Sequence, residues 1–330
     1  MITNTGLNDL KDIMAYLDKV PYCVTRKSLY NAEELYEGFK MGQEKSYANC
    51  FDGKVYQYYT YTGKQDPCIE ESLARRLHDH CIHMALREFM EGIDARRCVG
   101  VMGGHALMRS EGMYRNIVLL SKRLTEAGFI ILSGGGPGAM EATHLGAWMA
   151  GRSDEETQKV MDMLTKAALT FEDKDWLNSA FKVMKDYPRD ERYISLGIPT
   201  WLYGHEPSTP FATHIAKFFD NSVREDSILT LAYGGLIYTP GSAGTMQEIF
   251  QEAVQNHYLS FGFASPMIFL GKRFWTREMP VYPLLKQLMD TGKYKNLLLT
   301  LTDSINVVAA ELKSFNNRLK ADRPARRLKP

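Results

Sequence analysis

The strongest constraint on the fold is a unit that recurs along the chain: a short, almost continuously apolar run that ends in or near glycine and leads into an amphipathic stretch. CVGVMGG (98–104), FIILSGGG (129–136), YISLGI (193–198), GLIYTPG (235–241) and PMIFLG (266–271) all have this form. Strands without polar alternation are covered on both faces, and amphipathic helices between them supply the cover. Residues 113–127 and a segment opening near Gly138 carry that helical pattern. The expected class is α/β: a Rossmann-like parallel sheet with helices on both faces, plus an N-terminal extension and a helical insertion.

The flanking segments read differently. Residues 1–92 form a mainly helical extension, which packs on the rest of the chain or builds an oligomer interface. Within it, 7–20 has helical spacing, and KVYQYYTYT (54–62) alternates like a short tyrosine-rich strand. Ile69–Glu91 reads as a long helix with Leu73, Leu77, Cys81, Met84, Leu86 and Phe89 near its apolar face. The remaining unit, 93–330, is interrupted at about 151–192 by a charged helical hairpin, and it ends in a basic tail, about 318–330, expected to fray as a solvated terminus.

Composition narrows the functional classes. Forty Lys plus Arg against 39 Asp plus Glu give a net charge of +1, which argues against a nucleic-acid binder. No apolar run approaches the roughly 20 residues of a membrane span, and the first residues lack a secretory pattern, so neither a membrane nor export is expected. Five widely spaced cysteines fit neither a disulfide framework nor a zinc knuckle, and point to a reducing cytoplasm. Of His78, His80 and His83, only the last two share a helical face, without a carboxylate or cysteine pair beside them. No metal and no cofactor are expected.

Ligands of open parallel sheets bind beyond the carboxyl ends of the strands, where helix N-termini present free N–H groups. Three strand ends are glycine-rich: Gly103-Gly104, SGGGPG (133–138) and PGSAGT (240–245). Three such turns on one rim favour a phosphate or nucleotide site over turn geometry alone. Neither the G-x-G-x-x-G spacing of dinucleotide enzymes nor a G-K-[ST] P-loop is present at these turns. In PGSAGTMQE (240–248), the N–H groups near Gly241, Gly244 and Thr245 suit a phosphate, with Glu248 about one helical turn further in. The spacing of Thr245 and Glu248 equally fits an ordinary T-x-x-E capping box.

SGGGPGAMEA (133–142) and PGSAGTMQE resemble the paired signatures of the LOG family, G-G-G-x-x-G-x-M and P-G-G-x-G-T-x-x-E. These are the cytokinin-activating phosphoribohydrolases and their bacterial relatives, often labelled possible lysine decarboxylases. The GPGAMEA wording is also similar to the larger bacterial pyrimidine/purine nucleotide 5′-monophosphate nucleosidases. The likeness covers about 98–270. It implies cleavage of the N-glycosidic bond of a nucleoside 5′-monophosphate to free base and ribose 5-phosphate, in a homodimer or larger homo-oligomer. By the same resemblance, the catalytic acid is Glu248, and the arginine of the family's R-K-x-x-M segment is Arg224. Phosphate contacts then come from Gly241, Ser242, Gly244 and Thr245, and the nucleotide is surrounded by Gly135, Gly136, Gly138 and Met140, with Gly103, Gly104 and His105 on the first strand's end.

The residue types suit that chemistry. A carboxylate stabilises an oxocarbenium-like sugar and orients or deprotonates water, while an arginine clamps phosphate or carboxylate and fixes the ribose. The chain departs from the pattern at several points. One residue, Pro137, separates the glycine triplet from Gly138; Ser242 replaces the second glycine; Glu225 stands where lysine is usual; and His105 replaces a serine, either taking over its contact or capping the turn. The competing expectation is a nucleotide or molybdenum-cofactor carrier that uses the same rim without hydrolysis.

Overall fold

The computed structural model describes residues 10–43, 46–65 and 67–322. Five helices come first: α1 (Leu10–Leu17), α2 (Ala32–Leu35), α3 (Ser46–Asn49), α4 (Phe51–Tyr61) and α5 (Ile69–Glu91). The alternating part comes next as β1 (Cys98–Met102), α6 (Gly112–Glu126), β2 (Ile130–Ser133), α7 (Ala139–Trp148), α8 (Asp154–Ala167), α9 (Trp176–Asp186), β3 (Ser195–Gly197) and β4 (His214–Ile215). It continues with α10 (Asn221–Leu231), β5 (Gly235–Tyr238), α11 (Ala243–Tyr258), β6 (Pro266–Leu270), α12 (Val281–Asp290), β7 (Leu298–Thr302) and α13 (Ile305–Asp322). All seven strands pair in parallel, in the order β4-β3-β2-β1-β5-β6-β7. The chain is therefore an α/β Rossmann-like fold, with β1, β2, β5 and β6 buried along their whole length between helical layers.

The order fixes where a ligand belongs. From β1 the sheet grows one way through β2, β3 and β4, then restarts at β5 on the other side of β1, with Met102 paired to Tyr238 at the strand ends. That reversal is the topological switch point at which open α/β sheets leave a crevice.

The extension shares the core of the sheet. Tyr30 and Ile215 exchange backbone hydrogen bonds of 2.9 and 2.8 Å, an antiparallel bridge that covers the β4 edge. Two expectations for this region are corrected. Residues 54–62 do not form a strand but lie almost wholly in α4, where the buried side chains Val55 and Tyr59 are four residues apart, a helical spacing. Tyrosine's modest propensities let packing decide. In α5 the expected face is met only in part: Leu86 is buried and Leu77 and Phe89 pack against the core, but Leu73 and Met84 are exposed, whereas Glu71, Arg75, His78 and Asp79 are buried. These polar groups are satisfied inside. Arg75 Nε donates to Glu71 (2.7 Å), His78 meets Tyr30 Oη (3.0 Å) and Asp79, and Asp79 accepts the amides of Phe219 (2.9 Å) and Asp220 (2.8 Å). His78 is thus a core histidine. Through Asp79, α5 holds the entry to α10, where the Asp220 carboxylate caps the amide of Ser222 at 2.8 Å.

The insertion is the expected helical hairpin, α8 and α9. Arg109, just beyond β1, anchors it: its guanidinium pairs with Glu141 of α7 and donates to Ser179 Oγ (2.9 Å) of α9. At the C-terminus α13 continues through Arg318 to Asp322; the rest of the expected frayed tail, 323–330, lies outside the described residues, as do residues 7–9 of the first helical expectation. No described helix is long and apolar enough to cross a membrane, and the described residues contain no cluster of three metal-ligating side chains.

Candidate functional site

Three turns meet at the switch point. The Gly104 amide donates to Pro240 O (3.0 Å), and the Ala139 amide donates to Gly104 O (3.1 Å), so the turns after β1, β2 and β5 form one surface. Most of its glycines are required by this packing. A Cβ on Gly103 would overlap Thr239 and Ala139, and one on Gly241 would overlap Thr245. Gly138, at φ +66°, closes against the carbonyls of Gly104 and His105, and Gly135, at φ +70°, against Pro199 and Gly197. Gly244 differs: nothing lies within 4 Å of its missing side chain, and it is exposed.

Helix α11 starts at this surface with Ser242 as its N-cap. Thr245 and Glu248 therefore both lie within the helix, which excludes the capping-box reading of their spacing. Among the described residues, no hydrogen bond takes up the amides of Ala243, Gly244 and Thr245. They point out of a sixteen-residue helix at its positive end, a favourable place for an anion. Ser242 is exposed and its hydroxyl caps nothing, so its Cβ is accommodated without reshaping the helix.

Glu248 is carried by the next turn, 9% exposed. Burial pushes its carboxyl up to about 7, against the pull of Arg224 and with a smaller push from Glu225. Arg224 reaches it from α10. Its Nε donates to Ile198 O (2.9 Å) at the end of β3, and its Nη1 stands 3.9 Å from Glu248 Oε1 and 3.9 Å from Glu225 Oε1. Gly134 makes room for it, since a Cβ there would sit 2.7 Å from Arg224 Nη2. The charge of Glu225 beside the arginine is buried and satisfied by Asn221 (2.8 Å) and Gln247.

Met140 folds back over the second turn, with the Gly136 amide 3.4 Å from its sulfur. His105, exposed, caps nothing; its Nδ1 stands 3.5 Å from Glu206 Oε1, and its ring lies 6.2 Å from that of Phe171 in the insertion. The turns named from the sequence and the Arg224–Glu248 pair thus lie together at one crevice; Gly134, Glu206 and Glu252, which the sequence reading did not name, lie beside them. Glu252 lies one turn beyond Glu248, buried, its carboxyl pushed up to about 8 by burial despite the hydroxyl donated by Ser265. Tyr238 Oη is buried without a hydrogen-bond partner among the described residues, and burial and the nearby Glu252 and Glu248 raise its ionisation further. The i, i+4 spacing of the two acids on α11 was the available signal for Glu252. For Glu206 it was only a carboxylate shortly after the third strand.

No protein-family model and no curated protein sequence matches this chain. Among solved structures it is similar to the structural-genomics protein TM1055, at 17% identity and a TM-score of 0.43, covering 66% of this chain and 98% of that one. It is also similar to the molybdenum cofactor binding protein from the phototrophic bacterium Rippkaea orientalis, at 15% identity and a TM-score of 0.41, covering 66% and 95%. Likeness at this level concerns the shape of the chain and not its chemistry.

Proposed function

We propose that the protein is a nucleoside 5′-monophosphate phosphoribohydrolase, cleaving the N-glycosidic bond to release the base and ribose 5-phosphate. The observation that carries the reading is the convergence of Arg224 and Glu248, from two different helices, beside the unspent amides of the α11 mouth.

The phosphate takes the amides of Ala243, Gly244 and Thr245. That leaves C1′ of the ribose near Glu248, which is one turn further along the helix. The ionised Glu248 stabilises the positive sugar and orients or deprotonates the attacking water. Arg224, fixed by its bond to Ile198 O, turns its remaining N–H groups toward the ribose and the carboxylate. Binding energy at the phosphate, remote from the breaking bond, is then available to distort and align the sugar.

A second reading is binding without hydrolysis, in a carrier of a nucleotide-like cofactor. It is favoured by one observation: Arg224 is as close to Glu225 as to Glu248, so its charge is divided. Incubation with a panel of nucleoside monophosphates, assaying free base and ribose 5-phosphate, separates the two. Release of both products from at least one monophosphate is the expected result. Tight binding with no release from any of them leaves the carrier.

A further inference from the structure

We propose that Glu206 reads the base, and that it selects nucleoside monophosphates whose base carries an exocyclic amino group over those with a carbonyl at the same position. This rests on the placement of phosphate and ribose given above.

The direction of the site follows from Arg224. The guanidinium runs from Glu248, behind β5, past Gly134 at the end of β2, to Ile198 O at the end of β3. A nucleotide with its phosphate on the α11 mouth and its sugar at Glu248 continues along this line toward Gly136 and Met140. Glu206 is the acid at that end: its Oε2 lies 3.9 Å from where a Cβ on Gly136 would be. Beyond it, His205 and Pro207 line a cleft of about 670 Å³ between the extension and the insertion, whose walls include Tyr47 and Phe171.

The chemistry of Glu206 is unusual for a side chain that is only 14% exposed. Among the described residues, no hydrogen bond is donated to its carboxylate. Its nearest side-chain nitrogens among the ion pairs are on the exposed imidazoles of His105 at 3.5 Å and His205 at 3.7 Å. A partly screened carboxylate to which the chain donates no hydrogen bond gains when a ligand supplies N–H donors. An ionised carboxylate is an acceptor only. An amino group completes it, whereas a carbonyl oxygen in the same place sets lone pair against lone pair and leaves the acid unpaired. Sites of this kind discriminate by the missing donor. The family signature motifs do not include this position.

The test measures equilibrium binding of two matched pairs, AMP with IMP and CMP with UMP, to the full chain and to Glu206→Gln and Glu206→Ala, with thermal melts to verify folding. Among the described residues the Glu206 side chain makes no hydrogen bond, so both variants are expected to melt like the parent. In the parent, the amino member of each pair that binds is expected to be favoured at least about tenfold, and the preference to fall to about threefold or less in both variants. A parent that prefers the carbonyl member, or a preference unchanged by both substitutions, overturns the assignment. Because binding is read and not turnover, discrimination lost with Glu206 in a protein that releases no base leaves this inference standing while the hydrolase reading fails. Hydrolysis with a preference indifferent to Glu206 gives the reverse. If no monophosphate binds, both fall.

Discussion

Arg224 Nη1 lies 3.9 Å from Glu248 Oε1, close enough to attract but too far for a direct hydrogen bond. The pair is therefore an open one: the arginine is fixed through Ile198 O and not through the acid, and a ligand oxygen can be held between them. The same looseness leaves burial as the dominant influence on Glu248, whose carboxyl is pushed to about 7.

That value sets the pH dependence. If Glu248 works as a carboxylate, kcat/KM falls as the pH drops through about 7, by roughly tenfold per unit well below it for a single ionisation. A rate that instead rises on acidification assigns Glu248 the opposite role, that of proton donor to the leaving base. A pH profile of kcat/KM, read at substrate concentrations well below KM, distinguishes the two.

Two glycines separate ligand contact from packing. In Gly244→Ala the new methyl meets nothing within 4 Å, and alanine is the better helix former, so stability is unchanged or gains up to about 1 kcal/mol. Affinity for the monophosphate is nonetheless expected to fall by about tenfold or more, because the added carbon lies where phosphate approaches the amides. Affinity for the nucleoside lacking phosphate is expected not to change. In Gly134→Ala the methyl lies 2.7 Å from both Arg224 Nη2 and Met140 Sδ. There kcat is expected to drop by about a hundredfold, in the range for loss of a positioned charged group. Calorimetry and steady-state kinetics on the two variants check the contrast.

The second acid of α11 affects stability. Glu252 titrates at about 8 in the folded chain, above its unfolded value of about 4.5, so the folded state holds the extra proton between them. The stabilisation is fully present below about 4.5 and is lost as the pH rises through about 8. Glu248 adds a similar loss up to about 7. Melting temperature is therefore expected to decline from pH 5 to 9, and less steeply in Glu252→Gln, which keeps a partner for Ser265 without the ionisation. An equally steep decline in that variant contradicts the assignment.

The strands and glycine turns were legible because buried parallel strands write themselves as unbroken apolar runs, and because Gly103, Gly138 and Gly241 answer steric demands that no other residue meets. Arg224 and Glu248 came from a motif resemblance; spacing alone left Glu248 divided between a place beside the ligand and a capping box, and the helix start at Ser242 removes the capping box. The strand order, which makes the site a switch point, was not legible, since it depends on pairings between β1 and β5 far apart in sequence. The extension was misread where packing overrides local pattern. Tyrosines at alternate positions entered α4, and α5 buried Glu71, Arg75 and Asp79 because their partners are supplied by distant residues such as Phe219. Glu206 belongs to no motif, and only its position opposite Gly136 marks it.

The most direct measurement is release of free base and ribose 5-phosphate by the parent and by Glu248→Gln, with monophosphate binding measured on both. Glutamine keeps the size of the side chain and removes the ionisable group. Turnover is expected in the parent, with a loss of at least about a hundredfold in the variant and binding within about threefold of the parent. Equal turnover in the two proteins, or no turnover in the parent despite tight binding, contradicts the assignment of Glu248 and the hydrolase reading with it.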